Sequence, residues 1–451
     1  MGKIKSDSNE SFFLCVKFLL GKIFTTVYYV VQSWYNMINK ENYWTLRGYL
    51  LEQKYIALID CDSFFVSCER ALNPDLQGKP VCVTSGERGC VIARSKEAKE
   101  MGIPMGHPLF MAVKDYPDCI YISANHVDYG KISNSVMSVL RSISPTVEVY
   151  SIDEAFVDLT GLSKLYKKNY YQLATWIRER ILEETGIPVS IGISRTKSLA
   201  KLASDKAKNL DSHICIAGKC GITKLLRQTS VDEIWGIGRK LAPKLRGLGI
   251  KTAYDYVQKN DVWIKNRFGK TGLELKYELS GNLISKVSTG KTVPKSISDS
   301  KAFEEFSNDL NYIKNELMVH IHAVCRKLRR YDCKCGVVGV MLRTKDFRVY
   351  FNKTNTEHPL DFEFEISQIA FPILEQLYNP KIIYRSVGIV LEDLSSSSNE
   401  QLGLFKNESD EKKENLAKSL DKLEAKFGRN IVQTGFTNKF VPPKQDFVIK
   451  P

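Results

Sequence analysis

Tyr55-Ile56-Ala57-Leu58-Ile59-Asp60 is an apolar run that stops on a carboxylate. About ninety residues later, Tyr150-Ser151-Ile152-Asp153-Glu154-Ala155-Phe156-Val157-Asp158 places two acids side by side after the apolar approach of Val147, Val149 and Ile152. A strand-borne aspartate with an Asp-Glu pair on a neighbouring turn is an arrangement that gathers two divalent metals for phosphoryl chemistry. The core therefore has to bring these distant segments together.

The bulk numbers narrow the partner class. At 451 residues the chain has room for roughly two to four domains, each burying its own core. A hydrophobic content of 43% argues against disorder. Lys and Arg number 65 against 51 Asp and Glu, a formal charge of +14, for which nucleic acid is the commonest polyanionic partner. Eleven cysteines are an odd number, and no Cys-x-x-Cys occurs. Cys61, Cys82, Cys90 and Cys119 lie among apolar residues, as buried free thiols do in a reducing cytosol. His320-x-His322 has no nearby ligands and would point to two helix faces, which argues against zinc.

Residues 11–38 are rich in Phe, Leu, Val and Tyr but are interrupted by Lys17 and Lys22. The charge-free part, residues 23–38, falls short of the roughly 20 residues a spanning helix needs. Asp7 and Glu10 also spoil a basic signal leader. Three readings stand: a membrane-touching helix, a helix packed on the body, or an extension from a misassigned start, with Met37 the next possible one. The last two are favoured, and a cytoplasmic protein without a stable membrane partner is expected.

Strand-like and helical patterns then alternate out of simple order, which indicates an α+β core with inserted pieces. Strands are expected at 55–60, 80–83, 89–93 and 189–193, with two short ones within 147–157. Helices are expected at 94–101, 125–143, 173–185 and 196–208, the last rich in lysine. Gly236-Ile237-Gly238, with Trp235 before it and Gly249-Ile250 after it, has helix-hairpin-helix form, in which glycines let backbone amides approach a phosphate. Residues 281–295 read as a polar linker. Beyond it, strands at 295–303, 336–343, 347–352 and 382–391 and helices at 310–330 and 364–377 give the βαββαβ order of a ferredoxin-like domain. Ser395 to Ser398 marks a flexible exit, and 407–415 is a charge-dense tail.

Five strings occur in order: Asp60-Cys61-Asp62-Ser63-Phe64-Phe65, Gly89-Cys90-Val91-Ile92-Ala93-Arg94, Ser151-Ile152-Asp153-Glu154-Ala155-Phe156, Thr196-Lys197-Ser198-Leu199-Ala200-Lys201-Leu202-Ala203 and Trp235-Gly236-Ile237-Gly238-Arg239. Together they resemble the Y-family, or translesion, DNA polymerases, over about residues 55–394 and beyond. Residues 90–94, 150–156 and Gln401-Leu402-Gly403-Leu404-Phe405 favour the UmuC branch, the catalytic subunit of polymerase V, over the DinB branch.

The resemblance implies a right-hand polymerase. Its palm would comprise 55–62 and 125–215, its fingers 63–124, and its helical thumb with the helix-hairpin-helix 216–283. A linker at 284–295, a ferredoxin-like little finger at 296–394 and a tail at 395–451 would follow, after an extension at 1–54. Asp60 and Asp153 would bridge two Mg²⁺ ions, Glu154 would complete the site, and the Cys61 carbonyl would add a ligand. Asp62 would share the face of Asp60 if the strand continued, as a support or a helix cap. Phe65 matches the family's steric gate against a 2′ hydroxyl, with Phe64 stacked nearby. Arg94, Lys99 and Lys208 fall where the family places cations around the triphosphate, and Lys197 and Lys201 lie one turn apart on the same helix. Lys99 and Lys96 depart from the Arg and Tyr of other branches, giving point charges in place of a bidentate fork.

Gly236, Gly238 and Lys240 in the thumb, and Arg343, Arg348 and Arg385 in the little finger, would touch DNA phosphates without reading sequence. Gln401, Leu402, Leu404 and Phe405 resemble a bacterial sliding-clamp peptide. The UmuC likeness further implies a UmuD-type subunit and a recombinase filament. The expected activity is low-fidelity, template-directed addition of deoxynucleotides to a primer. The alternatives are a non-catalytic DNA-binding scaffold of the same fold, which has no need of three clustered acids, and a metal-dependent nuclease, which has no use for a sugar gate.

Overall fold

Every side chain of Ile56–Cys61 (β1) is buried, because a neighbouring strand lies on each side of it and helices cover both faces. The computed structural model describes residues 54–396 apart from 87, 88, 291 and 292, together with parts of 415–426 and residues 448–449. The chain divides into two units, Met1–Gly290 with Asp446–Pro451, and Lys291–Gln445.

The first unit contains β2 (Val81–Thr84), β3 (Val91–Arg94), β4 (Ile120–Ser123), β5 (Val147–Val149), β6 (Glu154–Asp158), β7 (Val189–Ser194) and β8 (Ile214–Ile216). Its central sheet runs β5-β6-β1-β7-β8, with β1 antiparallel to both neighbours. Alternation along β1 sorts its side chains. Ala57, Ile59 and Cys61 join the core made with the helices His126–Ile143 and Tyr170–Thr185. Ile56 and Leu58 pack on the other face with Phe156 and with Ala200 of the helix Lys197–Ala207. Asp60 follows that second parity and so emerges beneath the lysine-rich helix. Gly192, opposite Leu58, lets this helix lie close to the sheet: a Cβ there would stand 2.0 Å from the Ser204 amide nitrogen and 2.4 Å from the Ala200 carbonyl oxygen.

A smaller sheet, in which β2 lies between β4 and β3, carries the segment between β1 and the helix His126–Ile143. Its outer strand β13 (Val448–Ile449) comes from far along the chain and pairs antiparallel with Tyr121 and Ile122. After β8 come the helices Lys219–Gln228, Ala242–Gly247, Ala253–Gln258 and Asp261–Leu279, which share a core of Leu225, Leu226, Ile234, Ile237, Leu245 and Tyr256.

The second unit has the expected βαββαβ order: β9 (Ser296–Ser307), helix Leu310–Arg330, β10 (Cys333–Thr344), β11 (Val349–Leu360), helix Glu363–Leu377 and β12 (Tyr384–Ser396). The all-antiparallel sheet runs β11-β10-β12-β9, and both helices contribute to one core with Val338, Val340, Leu342, Val387 and Ile389. The strands expected at 347–352 and 382–391 run on to Leu360 and Ser396, over residues that are mostly exposed or half-buried and give no continuous apolar alternation to read.

His320 and His322 serve separate acids, Asp299 at 2.8 Å and Glu363 at 3.5 Å, as two residues on different helix faces should. Bonding to His320, and then to Lys327, holds the Asp299 carboxyl down at about 2 against burial. A depressed carboxylate stabilises the fold above its unfolded value of 3.8, and that contribution disappears as pH falls through about 2. Asp299→Asn is therefore expected to lose roughly 1–2 kcal/mol near neutral pH, after discounting for partial exposure. In urea titrations its deficit relative to the parent should close across that acidic window. A deficit independent of pH would show that charge is not the cause.

Candidate active site

Register brings the acids together. Asp60 on β1 lies directly opposite Glu154 on β6, and the Cys61 amide donates to the Asp153 carbonyl at 2.9 Å. Asp60 is only 3% exposed, which an isolated carboxylate could not tolerate. Its charge is met from the helix Lys197–Ala207 and the residue that closes it. Lys208 Nζ donates to Asp60 Oδ2 at 2.6 Å, and Lys201 Nζ stands 3.5 Å from the same oxygen while donating to Glu154 Oε1. Asp205 lies 3.6 Å from Lys201 and 3.7 Å from Lys208. Burial, followed by bonding to Asp60, pushes the Glu154 carboxyl up to about 7 in spite of Lys201. Burial works against the Lys201 ammonium, but Glu154, Asp205 and Asp60 outweigh it and lift Lys201 to about 12.

Asp153 takes part differently. Its carboxylate accepts from the Ser151 hydroxyl at 2.5 Å, so the local turn satisfies it. Among the described residues no three His, Cys, Asp or Glu side chains converge closely enough to hold an ion by themselves. The side chains that meet are Asp60 and Glu154; Asp153 adjoins them through the main chain.

Asp62 does not continue the strand. β1 ends at Cys61, Ser63 turns left-handed at φ 48°, and the helix Phe64–Leu72 begins. The face-sharing expected with Asp60 is lost at that turn. Asp62 instead accepts from Ser190 Oγ at 2.7 Å, with His213 Nδ1 3.3 Å from its other oxygen, and burial raises its pKa.

Of the three cations expected around a triphosphate, Lys99 feels the charge of the other two. Lys99 is lowered by burial and then by the positive charges of Arg94 and Lys208, which places all three within electrostatic reach. Lys99 Nζ donates to Ser63 Oγ at 2.9 Å, and the Arg94 guanidinium donates to the Ile103 carbonyl at 2.5 Å, neither bond neutralising a charge. Such mutual repulsion is relieved by an anion. Lys197 is not part of this group: it is buried and donates to Glu148 at 2.5 Å.

Phe65 is half-buried and stacks on Tyr129 with ring centroids 4.9 Å apart, while His126 meets it edge-on at 5.6 Å. Tyr129 is pinned in turn by its hydroxyl, which donates to Glu69 at 2.5 Å. Phe64 is enclosed in the core with its ring centre 5.8 Å from that of Phe65, so it supports Phe65 from within and presents little surface of its own.

In the helical segment Gly236 has φ 93° and is exposed with Gly238 and Lys240, whereas Ile237 between the glycines is buried. In the second unit Arg343 lies opposite Ser386, next to Arg385, and Arg348 is exposed at the start of the hairpin's return. The Arg385 guanidinium stacks 3.9 Å from the Phe347 ring centre and 5.4 Å from that of Phe306. Gln401, Leu402, Leu404 and Phe405, and residues 1–53 with their apolar stretch, lie outside the described residues. Among the described residues no helix is long and apolar enough to cross a membrane.

A mixed sheet with paired acids at its strand ends, a half-buried aromatic and a cationic cluster beside them, and a glycine-punctuated helical segment after it, has the parts of a nucleotidyl-transferring polymerase. Residues 59–205 match the impB/mucB/samB family, 294–404 the C-terminal domain of that family, and 220–250 its helix-hairpin-helix motif. Protein ImpB of Salmonella typhimurium is 33% identical, with 81% of this chain and 89% of the relative covered. DNA polymerase IV of Oceanobacillus iheyensis is also 33% identical (84% and 91%), and Protein UmuC of Salmonella typhimurium is 32% identical (83% and 92%). A solved Y-family DNA polymerase chimera of Dbh and Dpo4 superposes with a TM-score of 0.67 at 26% identity, over 76% of this chain and 99% of that one. The chain belongs to the impB/mucB/samB family of Y-family DNA polymerases and is a DNA-directed DNA polymerase.

Proposed function

We propose that this polymerase extends primers past damaged template bases with low fidelity, by two-metal nucleotidyl transfer at Asp60, Asp153 and Glu154. The observation that carries the reading is the direct pairing of Asp60 with Glu154 beneath two lysines, at the edge of the Arg94, Lys99 and Lys208 cluster. The oxygen donors suit Mg²⁺, and a carboxylate pair that already draws in two ammonium groups is a place for positive charge. Asp60, Glu154, Asp153 and the Cys61 carbonyl would hold the ions, which supply charge compensation on the triphosphate and a more acidic primer hydroxyl. Arg94, Lys99 and Lys208 bind and orient the phosphates. Phe65, fixed by Tyr129, excludes the 2′ hydroxyl from beneath the sugar.

In this reading 55–62 and 125–215 form the palm, 63–124 the fingers, 216–283 the thumb, and 296–394 the little finger beyond a linker at 284–295. The exposed amides at Gly236 and Gly238, Lys240, and the Arg343, Arg348 and Arg385 group grip primed DNA through its phosphates. The peptide Gln401–Phe405 recruits a sliding clamp in the cytoplasm, and a UmuD-type subunit and recombinase filament join during damage tolerance.

The test is Mg²⁺-dependent extension of a primed, lesion-bearing template by purified protein, with and without clamp. Products that stop at the lesion on templates where undamaged DNA is copied would overturn the translesion role. Within the same assay, Phe65→Ala is expected to raise ribonucleotide use relative to deoxynucleotide use by about a hundredfold, the equivalent of relieving one severe overlap. Unchanged sugar discrimination would remove Phe65 from the gate.

A further inference from the structure

One ammonium group in the first unit is surrounded by acids to a degree the sequence does not announce. Lys201 Nζ donates to Glu154 and lies 3.5 Å from Asp60 and 3.6 Å from Asp205, and its side chain is only 17% exposed. Three carboxylates on a single lysine exceed what a structural ion pair requires. Two of them are the acids that meet across β1 and β6, and they sit in contact with each other as well as with the lysine.

Lys208 is a different case. It reaches Asp60 alone of that pair, is 39% exposed, and so bonds one acid without bridging the two. The helix that carries Lys201 is held rigidly. Thr196 caps its start, Gly192 lets it lie against β7, and the Ser198 amide is tied to Glu278. The lysine backbone therefore stays in place while the long side chain can swing.

We propose that Lys201 is an internal counter-ion that takes the electrostatic place of a divalent ion between Asp60 and Glu154, and that metal binding and the lysine bridge exclude one another. This makes Lys201 a positioning residue. It keeps two close acids from driving β1 and β6 apart before metal arrives, and it raises the metal concentration needed to load the site. The inference rests on the metal-binding reading of Asp60 and Glu154.

The two fail separately in one experiment. Thermal unfolding of the full chain is followed in EDTA and across a Mg²⁺ titration, without DNA or nucleotide. The parent should gain stability with Mg²⁺, and Asp60→Asn should not; if the parent does not respond, the metal reading itself is wrong. Lys201→Met is expected to melt several degrees lower in EDTA, and its half-stabilising Mg²⁺ concentration should fall about tenfold. A lower melting point with an unchanged or weaker Mg²⁺ response assigns Lys201 a plain structural role and overturns the proposal. Lys201→Gln keeps a donor and removes the charge, so it serves if the Met variant does not fold. Folding of either variant only in the presence of Mg²⁺ supports the exchange, and failure of both with and without Mg²⁺ opposes it.

Discussion

Asp60→Asn is expected to reduce Mg²⁺-dependent primer extension by about a thousandfold or more while leaving binding of primed DNA near the parent level. The substitution preserves the shape of a buried side chain and the β1–β6 ladder, so the fold has no steric reason to fail. What changes is charge. Asp60 is the acid that Glu154 faces and that both Lys201 and Lys208 approach. Removing it leaves Glu154 without the carboxylate it faces and loosens both lysines from a common partner. Single-turnover extension measured beside a DNA-binding isotherm separates loss of chemistry from loss of grip. Retention of extension within about tenfold of the parent would move the reacting centre away from β1.

Gly192→Ala is expected to cost more than about 3 kcal/mol and to leave little folded protein at physiological temperature. The added methyl would meet the main chain of the helix Lys197–Ala207 at 2.0–2.6 Å, and no side chain can rotate away to relieve that. Either the helix shifts or β7 bends. Both movements carry Lys201 and Lys208 away from the acids, so any folded remainder should also have lost extension activity. Urea titration of the purified variant checks the stability. A loss below about 1 kcal/mol would mean that the helix rides more loosely on the sheet than its contacts indicate.

The paired acids were legible because Asp60 closes one apolar strand and Glu154 opens another, and strand register then places the two opposite each other. The βαββαβ order of the second unit was legible for the same reason, since its helices carry continuous apolar stripes. Lys201 was not recognised as a partner of the acids. A lysine on a basic helix reads as a solvated or phosphate-seeking charge until the sheet parity of Asp60 is known. Ser190 and His213 were missed because they approach Asp62 from a strand and a loop more than a hundred residues away. Asp62 would have shared the face of Asp60 only had β1 continued, and the left-handed Ser63 after the strand has no sequence marker of the kind glycine provides. The curated relatives divide between ImpB or UmuC and polymerase IV at nearly equal identity, so the branch rests on short strings and not on overall likeness.

The two-residue strand Val448–Ile449 has a practical bearing on how the protein is handled. By pairing with Tyr121 and Ile122 it occupies hydrogen-bonding groups on one rim of the small sheet. A version trimmed ahead of Asp446 would bare that rim, and bare rims recruit neighbouring molecules. Shortened preparations should consequently self-associate more readily in light scattering than the intact polypeptide, even though Asp60, Asp153 and Glu154 are all still present.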